Sequence, residues 1–140
     1  MLVRVPYRGV KTIELLISNF SLCTSAVSDR HFPCPHEGDV EIDVDLLPLF
    51  GTGRIETDEI LFDLAKNGGR ALNAAEALAT SLLVPDKPIH GFGQIHEGPH
   101  CRHIVVASNN FARMTGYRGN WRIRCVAATS SPNPLARQGP

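Results

Sequence analysis

From Asp39 to Leu47 the chain reads Asp-Val-Glu-Ile-Asp-Val-Asp-Leu-Leu. Val40, Ile42, Val44 and Leu46 alternate with Asp39, Glu41, Asp43 and Asp45, a period of two. An extended backbone sends successive side chains to opposite faces, so this run predicts a strand with one apolar and one acidic face. A helix would mix the two sets around its circumference. Gly38 marks a break before the run, and Pro48, which lacks a ladder donor, ends it. The chain must therefore build a sheet and cover its apolar face.

The cover is legible as two helices. Thr57 reads as an N-cap, with Asp58 and Glu59 in a first turn where the helix dipole favours anions. Ile60, Leu61 and Leu64 follow at helical spacing to Lys66, and Asn67-Gly68-Gly69 is a stop signal. A second helix is predicted from Arg70 to Leu83, closed by Pro85. Arg70, Asn73, Glu76 and Thr80 form its polar stripe. Ala71, Ala74, Ala75 and Ala79 leave a small-residue face for close packing against the sheet or a second copy.

Further strands are predicted at Leu2–Val5, Lys11–Ser18, Arg102–Ala107 and Asn120–Ala127, and a short one at Gly93–Ile95 inside a loop over 86–100. Phe50-Gly-Thr-Gly is a turn signal, and Asn109–Gly119 reads as a connection. Residues 19–38 show no readable period. Strands grouped around a helical pair give an α+β fold: a mostly antiparallel sheet of about five strands packed against two helices. A length of 140 residues with 43% hydrophobic content suits one domain, placed at 1–128, with a flexible polar tail at 129–140.

The formal charge is zero, yet it is a sum of opposed blocks. Residues 1–36 carry +2, residues 37–66 carry −7, and residues 67–140 carry +5. A neutral total argues against a simple polyelectrolyte that coats nucleic acid or an anionic membrane. The acidic residues Glu41, Asp43 and Asp45 and the basic Arg122 and Arg124 are each expected on one face of a strand, and the two strands are expected to satisfy each other, within one chain or across a dimer. No apolar stretch reaches the roughly 20 residues of a membrane span. The four cysteines, at 23, 34, 101 and 125, form no Cys-x-x-Cys pair, and free thiols in the cytoplasm are the expectation.

Three strings could carry chemistry. His96-Glu97-Gly98-Pro99-His100 has the letters of a zinc-protease helix. That motif needs residues four apart on one helical face, and the central Gly-Pro opposes a helix. Cys34-Pro-His36 and Cys101-Arg-His103 are both Cys-x-His pairs, and if brought together they could supply a tetrahedral zinc site. They also permit a Cys–His dyad. Phe111–Arg124 interleaves Arg113, Arg118, Arg122 and Arg124 with Tyr117 and Trp121, a pattern suited to phosphate contacts and base stacking.

The leading reading is a non-catalytic small-molecule-binding or protein-interaction module without a cofactor, pairing as a homodimer, with Phe92, Phe111, Tyr117 and Trp121 as pocket or interface aromatics. The first alternative is a small metal-assisted hydrolase or zinc-binding protein using the histidine-rich loop 90–103. The second is a nucleic-acid-binding protein using 111–124. Convergence of the histidines with Cys34 or His36 in a cleft separates the first alternative from the leading reading.

Overall fold

The computed structural model describes residues 1–49, 55–99, 101–117 and 120–136, without the side chains of Tyr117 and Asn120. In chain order the strands are β1 (Leu2–Arg8), β2 (Leu22–Cys23), β3 (Glu37–Pro48), β4 (Ile55–Glu56), β5 (Arg70–Ala71), β6 (Ile89–His90), β7 (His96–Glu97), β8 (Arg102–Ser108), β9 (Phe111–Tyr117), β10 (Asn120–Trp121) and β11 (Cys125–Thr129). The helices are α1 (Thr12–Ile17), α2 (Thr57–Lys66) and α3 (Ala74–Leu83). The fold is α+β, with more strands than the expected five, and three helices among the described residues.

One sheet has the order β1-β3-β11-β5, all antiparallel. The other has the order β2-β9-β8-β6, with β7 also pairing β8; only β2 and β9 run parallel. A ribbon of β4 and β10 joins the start of α2 to the Trp121 segment. The alternation in β3 works as its period requires: Ile42 and Val44 are buried, while Asp39, Glu41, Asp43 and Asp45 face solvent.

Helix α3 packs against both β1 and β8. Eight of its ten residues are buried, which explains its alanines. A helix covered on opposite sides by backbone-rich sheets has little room for larger side chains. Val3, Val5 and Tyr7 from β1, Leu78 from α3, and Val105 and Ala107 from β8 share this core. The opposite face of β8, through Ile104 and Val106, packs with Ile60 and Leu64 of α2, Phe92, and Val126 and Ala128 of β11. Both faces of β8 are therefore buried.

Several expected elements take a different form. Lys11–Ser18 is a turn of 3-10 helix followed by α1, not a strand. The carboxylate of Asp29 accepts hydrogen bonds from the amides of Ile13 (2.8 Å) and Glu14 (3.0 Å), supplying from a distance the cap that α1 lacks locally. Glu56, not Thr57, occupies the cap position of α2, and Thr57 is its buried first residue. Helix α3 starts at Ala74 because Asn73 and Glu76 form a reciprocal capping box, while Arg70 and Ala71 pair with β11. The short strands of the 86–100 loop flank Gly93–Ile95 rather than contain it.

The expected connection after Asn109 is β9. Asn109 (φ 51°) and Asn110 (φ 60°) are both left-handed, which makes a two-residue turn of the mirror-image type that suits hairpin twist. The predicted strand Asn120–Ala127 is divided into β10 and β11. Residues 129–136 carry defined contacts: Thr129 is buried in β11, and Ser131, Pro132 and Asn133 bond to Arg70 and Asn73. The turn expected at Phe50–Gly53 lies outside the described residues.

Candidate functional site

Three of the four residues expected on the polar stripe of the second helix, Arg70, Asn73 and Glu76, form a largely buried hub instead, and Thr80 is buried without joining it. Arg70 Nη1 and Nη2 donate to the two carboxylate oxygens of Glu76 at 2.7 and 2.8 Å. Nη1 also donates to the Ala71 carbonyl, Nη2 to that of Pro132, and Nε to that of Ser131. All five guanidinium N–H groups thus have acceptors. Glu76 is fully buried and also accepts from the Asn73 amide at 2.9 Å. The Asn73 side chain caps α3 by accepting from the Glu76 amide and donates to the Tyr7 hydroxyl at 3.0 Å. Burial, reinforced by the Glu76 charge, pushes the Tyr7 phenol above its usual range, so it stays neutral.

Beside this hub is a cavity of about 360 Å³, lined by Leu61 and Ala65 of α2, the Gly69–Ala71 segment, Phe92, Gly93, Ile95 and Asn133. The chain can close over β5 there because residue 93 is glycine. A Cβ at that position would stand 2.5 Å from the Ala71 carbonyl oxygen and 2.8 Å from that of Leu72. The Gly93 amide donates to the Leu72 carbonyl at 2.8 Å. Next along the chain, the Gln94 side chain accepts from the Ala74 amide (3.0 Å) and donates to the Pro33 carbonyl (2.8 Å). It therefore ties residues 31–34 to the start of α3.

Behind the cavity wall is a cluster of rings. His90 stacks on Phe92 at 5.3 Å between centroids, and Trp121 meets Phe92 edge-on at 5.1 Å and His90 at 5.9 Å. Trp121 Nε1 donates to Thr57 Oγ1 at 2.6 Å, fixing the entry to α2. The His90 imidazole is buried, and its Nδ1 finds no hydrogen-bond partner among the described residues. Burial, with a smaller contribution from the Arg113 charge, holds its pKa down to about 4.

Of the four aromatics expected at a pocket, Phe92 lines this cavity and Trp121 supports it from behind. Phe111 is half-buried in β9 opposite Leu22 of β2, in the other sheet. Tyr117 pairs through its backbone with Arg102, and its side chain lies outside the described residues.

The two Cys-x-His pairs have separate surroundings. Cys34 is buried, its Sγ donating to the Phe32 carbonyl at 3.4 Å and lying 3.8 Å from Gln94 Oε1. Burial pushes this thiol up to about 12. His36 packs edge-on against Tyr7 at 5.2 Å. Cys101 Sγ lies 3.2 Å from His103 Nε2. His103 neighbours His96, its register partner on β7, at 6.3 Å, and His96 neighbours His31 at 4.5 Å. Among the described residues no group of three or more histidine, cysteine or acidic side chains is placed to hold a metal ion. His96 and Glu97 are extended in β7, so the zinc-protease string is not on a helix; His100 lies outside the described residues.

Arg113, Arg122 and Arg124 are exposed, and Arg118 lies outside the described residues. Strand β3 does pair with β11, but the register sets Cys125 opposite Pro48 and Asp45 opposite Ala128. Arg122 and Arg124 therefore lie beyond the end of β3 rather than across from Glu41, Asp43 and Asp45. On the acidic face, Asp39 is bonded by Arg4 and, at 2.7 Å, by Arg8, both on β1. These two guanidinium groups, Arg4 before Arg8, hold the Asp39 carboxyl below its usual range. No described helix is long and apolar enough to cross a membrane.

Sequence reasoning missed the Arg70 hub and the cavity beside it. The string Asn73-Ala-Ala-Glu76 was the available signal, since it has the spacing of a capping box. No protein-family model, curated protein or solved structure matches the chain.

Proposed function

We propose that the protein is a non-catalytic small-molecule-binding module whose ligand is a compact, neutral, largely apolar molecule seated between α2, β5 and the Phe92–Ile95 turn. The observation that carries this reading is the make-up of the cavity wall. Leu61, Ala65 and Ile95 present carbon, backed by the buried Ala71 and Phe92. The charged group at the rim, Arg70, has every donor engaged within the chain. A charged ligand meets no available counter-charge from Arg70, whereas an apolar one gains from contact with the accessible Leu61, Ala65 and Ile95. The volume of about 360 Å³ is at the low end of the range typical of ligand pockets.

Four unpaired thiols suit a reducing compartment, and the cytoplasm belongs to the same proposal. So does pairing of two copies, through a surface other than the alanines of α3, which the chain's own sheets already cover. Sedimentation as a monomer at every concentration removes that part.

The ligand reading is tested by amide NMR against a panel of small neutral aromatic and alicyclic compounds, with charged analogues as controls. Shifts are expected at the amides of Gly69, Ala71 and Gly93. Ala65 is exposed at the edge of the cavity, so Ala65→Phe is expected to abolish these shifts and leave the melting temperature unchanged. A panel that perturbs none of these amides, or binding undiminished in Ala65→Phe, overturns the reading.

A further inference from the structure

Away from this cavity, at the edge where β7 meets β8, the thiol of Cys101 and the imidazole of His103 stand side by side. Residues two apart on an extended chain share a face. Here Sγ is 3.2 Å from Nε2 and 4.0 Å from Nδ1. The sulfur is thus nearer Nε2, within hydrogen-bond distance for a sulfur–nitrogen pair. Both side chains are only partly buried. We infer that Cys101 is a reactive thiol, activated by His103, that exchanges with low-molecular-weight disulfides.

Two glycines leave the pair open. Gly116 is the register partner of His103 on β9, and a Cβ there would stand 3.7 Å from Cys101 Sγ. Gly98 donates to the Cys101 carbonyl at 2.9 Å, and a Cβ there would stand 3.0 Å from that carbonyl oxygen and 3.3 Å from His103 Cε1. A side chain at 98 would press on the Cys101 backbone and the ring, and at 116 the atoms of a branched side chain beyond an ordinary Cβ contact would cover the sulfur. The other groups around the pair are His96 on β7, with His31 beyond it, and Glu97, which is ion-paired to Arg102 at 3.3 Å.

In the exchange, the Cys101 proton passes to His103 Nε2 and the thiolate attacks one sulfur of the incoming disulfide. A new bond forms between Cys101 Sγ and that sulfur as the original sulfur–sulfur bond breaks. The departing thiolate takes the proton from the imidazolium. Cys101 is oxidised to a mixed disulfide and one half of the small disulfide is reduced to a thiol, with no further reactant. Of the other thiols, Cys34 is buried and desolvation raises Cys23, while Cys125 is half-buried in β11 and serves with Cys23 as an internal comparison.

The test measures the rate at which each cysteine of the intact protein forms a mixed disulfide with cystamine or dithiodipyridine at neutral pH, resolved by peptide mass spectrometry. Cys101 is expected to react at least about tenfold faster than Cys23 despite the greater exposure of the latter. His103→Asn is expected to bring Cys101 to the rate of an ordinary thiol, with folding checked by circular dichroism. Gly116→Val, which leaves the imidazole in place, is expected to slow the bulkier reagent more than the smaller one. Equal rates at Cys101 and Cys23 in the unmodified sequence, or an undiminished rate in folded His103→Asn, overturns the inference. Should that variant fail to fold, the ratio in the unmodified protein decides.

Discussion

Glu76 combines a buried charge, a helix cap and three accepted hydrogen bonds, two from Arg70 and one from the Asn73 amide, in one side chain. Removing one partner of a buried ion pair leaves the other uncompensated, so Glu76→Ala is expected to cost about 3 kcal/mol or more in urea denaturation. Glu76→Gln, which keeps the shape and one acceptor, is expected to cost less. His90 gives a pH signature of known sign. Its pKa is depressed in the folded state, from 6.5 to about 4, so the unfolded chain binds the proton first. The stability it contributes is present above pH 6.5 and is lost as pH falls toward 4, by roughly 3 kcal/mol. His90→Phe, which preserves the stack on Phe92, is expected to flatten that part of the curve. Neither role follows from residue type. Arg70, Asn73, Glu76 and Thr80 have helical spacing, and polar groups at that spacing normally mark a solvated stripe. What buries them is the cover of β1, β8 and residues 131–133, which no local pattern announces.

Elements were legible where their own period decided them. Strand β3 and helix α2 fall where alternation and a helical repeat put them, because each has one buried face. Helix α1 is six residues long, too short for a helical period to stand out, and Thr12, Ile13 and Ile17 are β-branched. Its capping carboxylate comes from Asp29, inside the segment with no readable pattern. The β8–β9 hairpin was missed for a different reason: its turn is Asn-Asn, a weaker signal than Asn-Gly. Asparagine tolerates the left-handed conformation, whereas a β-branched residue does not, so Asn110→Val is expected to cost about 1–2 kcal/mol by thermal or urea unfolding. Asn110→Gly is expected to be neutral or stabilising. The cavity belongs to this scale too. It exists because Gly93 lets one turn approach β5, and a lone glycine in a loop does not say which backbone it must avoid.

For the whole molecule, the opposed charge blocks were visible in the sequence but their meeting place was not, since register is set by packing. Asp39 is met by Arg4 and Arg8 from the first strand, not by the arginines near residue 122. Helix α3, enclosed by two sheets, is expected to hold the slowest-exchanging amides with β8, and residues 19–30 the fastest, in native-state hydrogen exchange. Comparable protection in both regions would contradict that arrangement. The order β1-β3-β11-β5 also has a kinetic consequence. The strand synthesised last of the four is an interior strand, inserted between two that precede it by many residues. Until it arrives, β3 and β5 each present an unpaired edge, and the loop closures required are long. Such topologies fold slowly and expose sticky intermediates. A nascent chain lacking only β11 is therefore the form most in need of a chaperone.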